Sequence, residues 1–325
     1  MSPLAAAAAA LAWLGRQGTR AIAAIVFIGI AVPPLGALLK PFVTAAIFVL
    51  LCIAFLRVDA AALRGYLGRP AVVLAATAWT MLVVPVLIGA ACLAAGLDTR
   101  SPDLFLALML NAVASPMMAA PAFAAVLGLD ATLVLVTLVA STVLTPFTAP
   151  GFAYAFIGPA LTLSPLTLGL KLLAILAGSA LIAVVVRRTV GPAAIERHKE
   201  KIDGFNILVI FVFVAAVMEN VAARFFTTPM VMVALTVLAF GVNLAVLGVT
   251  ALLFARVGRE RAFVLGLMAS QRNMGLMLAA TGGALPDLVW LYFGLCQFPI
   301  YLSPQLLKPL VRRLKLAATI DPGLG

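Results

Sequence analysis

Ten apolar stretches, each close to 20 residues, follow one another along the 325-residue chain with only short connections between them. An apolar helix of about 20 residues matches the roughly 30 Å hydrocarbon core of a bilayer. The spans run over residues 21–39, 41–56, 70–95, 102–127, 131–153, 166–186, 205–221, 229–255, 262–280 and 287–311. Asn206 and Glu219 bracket the fully apolar part of the seventh. Hydrophobic residues make up 65% of the chain and charged ones 10%, with a mean hydropathy of +1.20. A soluble domain carries about 45–50% apolar and about 25% charged residues, so lipid must solvate much of this surface. The expected fold is an all-α membrane protein of about ten transmembrane helices, with the bilayer as its main partner.

A net charge of +11 would point to nucleic acid in a soluble protein. Here the basic residues fall in alternate loops, and no nucleic-acid partner is expected. Arg16 and Arg20 precede the first span; Arg57, Arg64 and Arg69 follow the second; Arg187, Arg188, Arg197, Lys199 and Lys201 follow the sixth. Arg256, Arg259 and Arg261 follow the eighth, and Lys308, Arg312, Arg313 and Lys315 end the tenth. That sets seventeen basic residues on one side against Lys40, Arg100 and Arg224 on the other, with Lys171 and Arg272 inside spans. By the positive-inside rule both termini are cytoplasmic, in a cell inner membrane. Residues 1–20 place their alanines before their arginines, the reverse of a secretory signal, and read as a cytoplasmic interfacial segment. Residues 21–311 form the ten-helix unit, and 312–325 a cytoplasmic tail.

The two halves look related. "STVLTPFTAP" in the fifth span carries Pro146 and Pro150; "CQFPIYLSP" in the tenth carries Pro299 and Pro304, 153 and 154 residues later. "ASPMMAAPAF" interrupts the fourth span, and "ASQRNMG" the ninth at a similar offset. Repeat one would cover about 21–155 and repeat two about 166–311. Five spans each make the second copy enter from the opposite side, and paired interruptions in such inverted repeats point to a transporter's central site.

Catalytic patterns are missing. No Walker loop, G-x-S-x-G elbow, H-E-x-x-H motif or intramembrane carboxylate pair occurs, so no enzymatic activity and no cofactor is expected. Cys52, Cys92 and Cys296 lack paired spacing, and the single histidine, His198, sits in a charged loop.

The segment "NAVASPMMAAPAFAAVLGLDATLVLVTLVASTVLTPFTAP", residues 111–150, resembles the fourth-to-fifth helix region of the bile acid:sodium symporter family. "ASQRNMGLMLAA", residues 269–280, is similar to that family's ninth-helix pattern, Glu-x-Gly-x-Gln-Asn-x-Gly-Leu. The resemblance implies a panel domain of helices one, two, six and seven. It also implies a core domain of helices three to five and eight to ten, with helices four and nine discontinuous and crossing. The family's sodium ligands, however, fall on residues that cannot replace them. A Ser-Asn pair lands on Ala120 and Pro121, a Ser and a Thr near Val134 and Leu138, a Glu on Met268, and a Gln on Arg272. A third-helix Gln becomes Thr80, before Pro85; Asn273 and Gly275 match the family. Sodium needs several oxygen ligands, so no metal is expected at the usual sites, with Thr137 and Ser141 the weak candidates for rearranged ones.

Arg272 is the residue to explain. An arginine in mid-membrane costs at least about 2.5–3.5 kcal/mol, so it faces the protein interior, and no Asp or Glu lies near the middle of any span. It is either capped by helix-end carbonyls or serves as a fixed cation for an anion. Gln271, Asn273, Asn111, Ser115, Gln297 and Ser303 are the further substrate-binding candidates. Lys171 reads as snorkelling, and Met117, Met118, Met268 and Met274 cluster at the two interruptions. The function expected is alternating-access transport of a small organic anion, steroid-like or a small carboxylate, with Arg272 in place of sodium; the coupling ion stays open. The alternatives are sodium coupling through rearranged sites, and a non-transporting receptor or pseudo-transporter.

Overall fold

In the computed structural model, residues 3–18, 21, 24, 27–29, 31–58, 70–157, 163–282 and 285–320 are described. Arg20, Arg64 and Arg69 lie outside them, as do much of the first expected span and the end of the expected tail. The chain is an all-α membrane protein: among the described residues there is no strand, and five helices are long and apolar enough to cross a bilayer. These cover Pro34–Leu56, Pro70–Ala94, Ala131–Ile157, Pro165–Val190 and Pro229–Leu253. Interruption explains two of the remaining expected spans, because the fourth and ninth are each divided into pieces too short to cross alone.

The helices used below are α1 (Pro3–Gln17), α2 (Pro33–Leu39), α3 (Val43–Leu56), α4 (Pro70–Ala78), α5 (Val84–Ala94), α6 (Pro102–Val113), α7 (Ala120–Val126) and α8 (Ala131–Phe152). They continue with α9 (Pro165–Val190), α10 (Lys199–Val217), α11 (Pro229–Leu253), α12 (Arg259–Ser270), α13 (Met274–Thr281), α14 (Asp287–Leu306) and α15 (Lys308–Ile320). A 3-10 turn, Lys40–Phe42, joins α2 to α3 with no loop where a boundary between the first two spans was expected. Pro41 is the second residue of that turn, where its missing N–H costs little, so the helical path runs on through Lys40.

The chain divides into two compact units. The first comprises Met1–Val58, Leu173–Val233 and Leu278–Leu285; the second comprises Asp59–Leu172, Ala234–Met277 and Pro286–Gly325. In the first unit α10 is the hub, packed against α1, α2 and α3. Lys40 pairs with Glu219 at 2.8 Å near one end of α3, and Arg57 pairs with Asp203 at the other, so α3 and α10 run antiparallel. The N-terminal helix lies along α10, with Arg16 bonded to Glu200 at 2.9 Å. A Cβ on Gly204 would stand 1.9 Å from the Leu11 carbonyl oxygen, so only glycine admits that approach.

In the second unit, a buried apolar cluster joins α4, α7, α8 and α12 through residues such as Val73, Ala124, Leu133 and Val264. The Asp130 carboxylate caps α8 by accepting from the Leu133 N–H at 2.9 Å.

Candidate functional site

The site is built where two helical paths stop. Helix α6 ends at Val113, Ala114 turns extended with ψ near 146°, and helix resumes at Ala120. The second path ends at Ser270 and resumes at Met274. The stretch read from the sequence as the first interruption, residues 114–123, is longer than the one observed: Pro121 sits in the first turn of α7, where a proline is compatible with helix. The two stretches satisfy each other's main chains. Met117 N–H donates to the Gln271 carbonyl at 2.7 Å, Asn273 N–H to the Ser115 carbonyl at 2.8 Å, and Pro116 and Arg272 form an antiparallel bridge. Buried backbone freed from a helix is tolerated when it finds such partners.

Arg272 is 4% exposed and lies within the second unit. Its Nη1 donates to the carbonyls of Thr80, at 3.1 Å, and Ala114, at 3.0 Å; Nη2 donates to Thr80 at 3.2 Å. Both acceptors are free for local reasons. Between α4 and α5 a π-helical turn, Trp79–Val83, sends the Val84 N–H back to Trp79. Pro85, the next residue, has no N–H, so the Thr80 carbonyl has no donor ahead of it in its own helix. Ala114 has left the helix, so its carbonyl is free too, and the negative end of the α6 dipole adds attraction for a cation. Three charge-assisted bonds, at roughly 1.5–3 kcal/mol each, offset part of the cost of burying a guanidinium. They do not neutralise it: among the described residues no carboxylate pairs with Arg272. The Nε–H makes no hydrogen bond to a described residue.

Beside the guanidinium lies a small cavity, also within the second unit, lined by Asn111, Asn243, Ser270, Arg272 and Cys296 among apolar side chains. Of the residues singled out in the sequence as site candidates or as methionines at the interruptions, Arg272, Asn111 and Met274 meet there. The others have different surroundings. Gln271 donates from Nε2 to Ser303 Oγ at 3.1 Å, and Ser303 donates to the Pro299 carbonyl. Gln297 bonds the Phe293 carbonyl of its own helix at 2.9 Å. Asn273 accepts from the Leu276 N–H at 3.2 Å and so caps α13. Among the described residues Ser115 Oγ is buried without a hydrogen-bond partner, like Thr80 Oγ1, Ser141 Oγ and Gln271 Oε1.

Asn243 was not singled out in the sequence. It is the one amide in the span 229–255, and a lone polar side chain in an apolar span is a signal that could have found it. Met274 lines the cavity. Thr137 spends its hydroxyl on the Leu133 carbonyl, 2.9 Å away. Ala120, Val134 and Met268, where the resemblance would place sodium ligands, belong instead to the buried apolar cluster. His198 is exposed and bonded to the Ala194 carbonyl; Lys171 is exposed. No group of three potential metal-ligating side chains occurs among the described residues. No protein-family model and no curated protein matches the chain.

Proposed function

We propose that this protein is a secondary transporter of an organic anion, with Arg272 as a fixed cation that receives the anionic group. The observation that carries the reading is a buried guanidinium, held among the described residues by two main-chain carbonyls, one at a π-helical turn and one at an interrupted helix, and lining a cavity with no counter-charge. Charged groups inside membrane proteins are paired or functional, and a guanidinium with unspent donors matches a carboxylate.

The wider architecture proposed is ten spans in two inverted five-helix repeats, both termini cytoplasmic, in an inner membrane. The membership of the two units supports it. Helices from the expected spans one, two, six and seven fall mainly in one unit, and those from three to five and eight to ten in the other. This is the panel and core membership implied by resemblance to bile acid:sodium symporters. The apolar packing of Ala120, Val134 and Met268 supports transport without that family's sodium sites. One observation favours sodium coupling through rearranged ligands instead: Ser141 Oγ is fully buried and has no hydrogen-bond partner among the described residues.

The test is counterflow in proteoliposomes with labelled carboxylates. A saturable exchange that Arg272→Gln abolishes supports the proposal, and a variant that exchanges normally refutes it.

A further inference from the structure

Helix α15 docks on the second unit by one stripe of its surface. Val311 is 3% exposed within the buried apolar cluster, and Leu307 and Leu314 pack against the same cluster. At about 100° per residue these three share a face. Lys308 and Arg312 then fall together on one flank of the stripe and Leu310 on the other; all three are exposed, as is Arg313. Phe254 and Ala262 belong to the cluster too, and α12 touches both α15 and the 3-10 turn Ala255–Val257. The exposed Arg256 and Arg259 therefore share this end of the unit with the basic residues of α15.

These charges are unspent. Among the described residues, none of Arg256, Arg259, Lys308, Arg312 and Arg313 makes an ion pair. Glu260 is the one acidic residue in 252–270 and 303–320, and it is half-buried. Lys308 and Arg312 stand one helical turn apart, where like charges repel each other until an anion comes between them.

The depth of this surface identifies the anion. Helix α11 has 25 residues, enough to cross the hydrocarbon core, and it ends at Leu253. Arg256 and Arg259 follow within two turns, so they stand at the level of the lipid headgroups. Leu252, Leu253, Leu306 and Leu310 are exposed at the same end. A free phosphate would leave these leucines bare, whereas a phospholipid lays acyl chains along them while its phosphate meets the basic groups.

We infer that this end of the second unit is a binding site for an anionic phospholipid, its phosphate held among the five basic side chains. The inference stands apart from the transport reading, and neither fails with the other.

Native mass spectrometry of the purified full chain in detergent, titrated with phosphatidylglycerol and phosphatidylcholine of identical acyl chains, tests it. Phosphatidylglycerol is expected to bind at least tenfold tighter. Lys308→Gln, Arg312→Gln and Arg313→Gln together are expected to bring the ratio to about one with the unfolding temperature unchanged, since all three side chains are exposed. Arg100→Gln, which removes an exposed arginine outside this surface, is expected to leave the ratio as it is. Equal wild-type affinities for the two lipids overturn the inference, and so does a selectivity that survives the triple substitution. An equal loss with Arg100→Gln overturns it in favour of bulk charge. Glycerol phosphate, which lacks the chains, is expected not to compete; competition at the lipid's own concentration assigns the surface to free phosphate and overturns the lipid site.

Discussion

The Thr80 carbonyl accepts hydrogen bonds from both terminal nitrogens of Arg272, 192 residues further along the chain, at 3.1 and 3.2 Å. Two local features free that carbonyl: the π-helical turn redirects the Val84 N–H, its α-helical donor, to Trp79, and Pro85, the donor of the π-helical register, has no N–H. The carbonyl left over then serves as a ligand for a positive charge.

Lysine at this position should be an imperfect replacement. Its ammonium keeps the charge but not the planar fork that reaches Thr80 and Ala114 together. Arg272→Lys is expected to weaken carboxylate binding by at least tenfold, about 1.4 kcal/mol, as read by titration calorimetry. Full affinity in the lysine variant would show that charge alone suffices.

Ligand binding should depend little on sodium. Ala120, Val134 and Met268 carry no side-chain oxygen and pack into carbon. Replacing potassium by sodium is expected to change affinity by less than tenfold. A larger gain would favour the rearranged sites, with Ser141 the first residue to substitute.

The all-α membrane class was legible in the sequence because lipid imposes a simple length rule on apolar helices. The interruptions were legible because Pro116 and the polar run at Gln271–Asn273 cannot sit unpartnered in an apolar helix. Other features were hidden in the main chain. The Thr80 carbonyl depends on a π-helical turn that has no side-chain signature, and Asn243 acquires meaning only through its bond to Ser270. Gln271 and Ser303 looked like ligands individually, yet they bond each other across 32 residues. Lys40 suggested a loop, but the chain remains helical there because Pro41 is accommodated in the first turn of a 3-10 segment, Lys40–Phe42.

Close packing in the first unit gives a stability prediction. A side chain at position 204 would collide with the Leu11 carbonyl, which is backbone and cannot swing aside. Gly204→Val is expected to destabilise the protein by about 1–3 kcal/mol or more, seen as a lowered unfolding temperature in detergent. An unchanged transition would mean that α1 does not dock on α10 as described.

The proposed topology puts the connection around residues 187–203 on the cytoplasmic side with both termini. Single cysteines placed there should resist a membrane-impermeant thiol reagent in intact cells and react after permeabilisation. Ready labelling in intact cells would invert the arrangement.

Exchange of a labelled small carboxylate across proteoliposomes, wild type beside Arg272→Gln, tests the central claim most directly. Saturable counterflow is expected in the wild type, and its loss in a variant that reconstitutes to the same level with the same unfolding temperature. Normal exchange by Arg272→Gln would contradict it and leave Arg272 as a structural cation held by the carbonyls of Thr80 and Ala114.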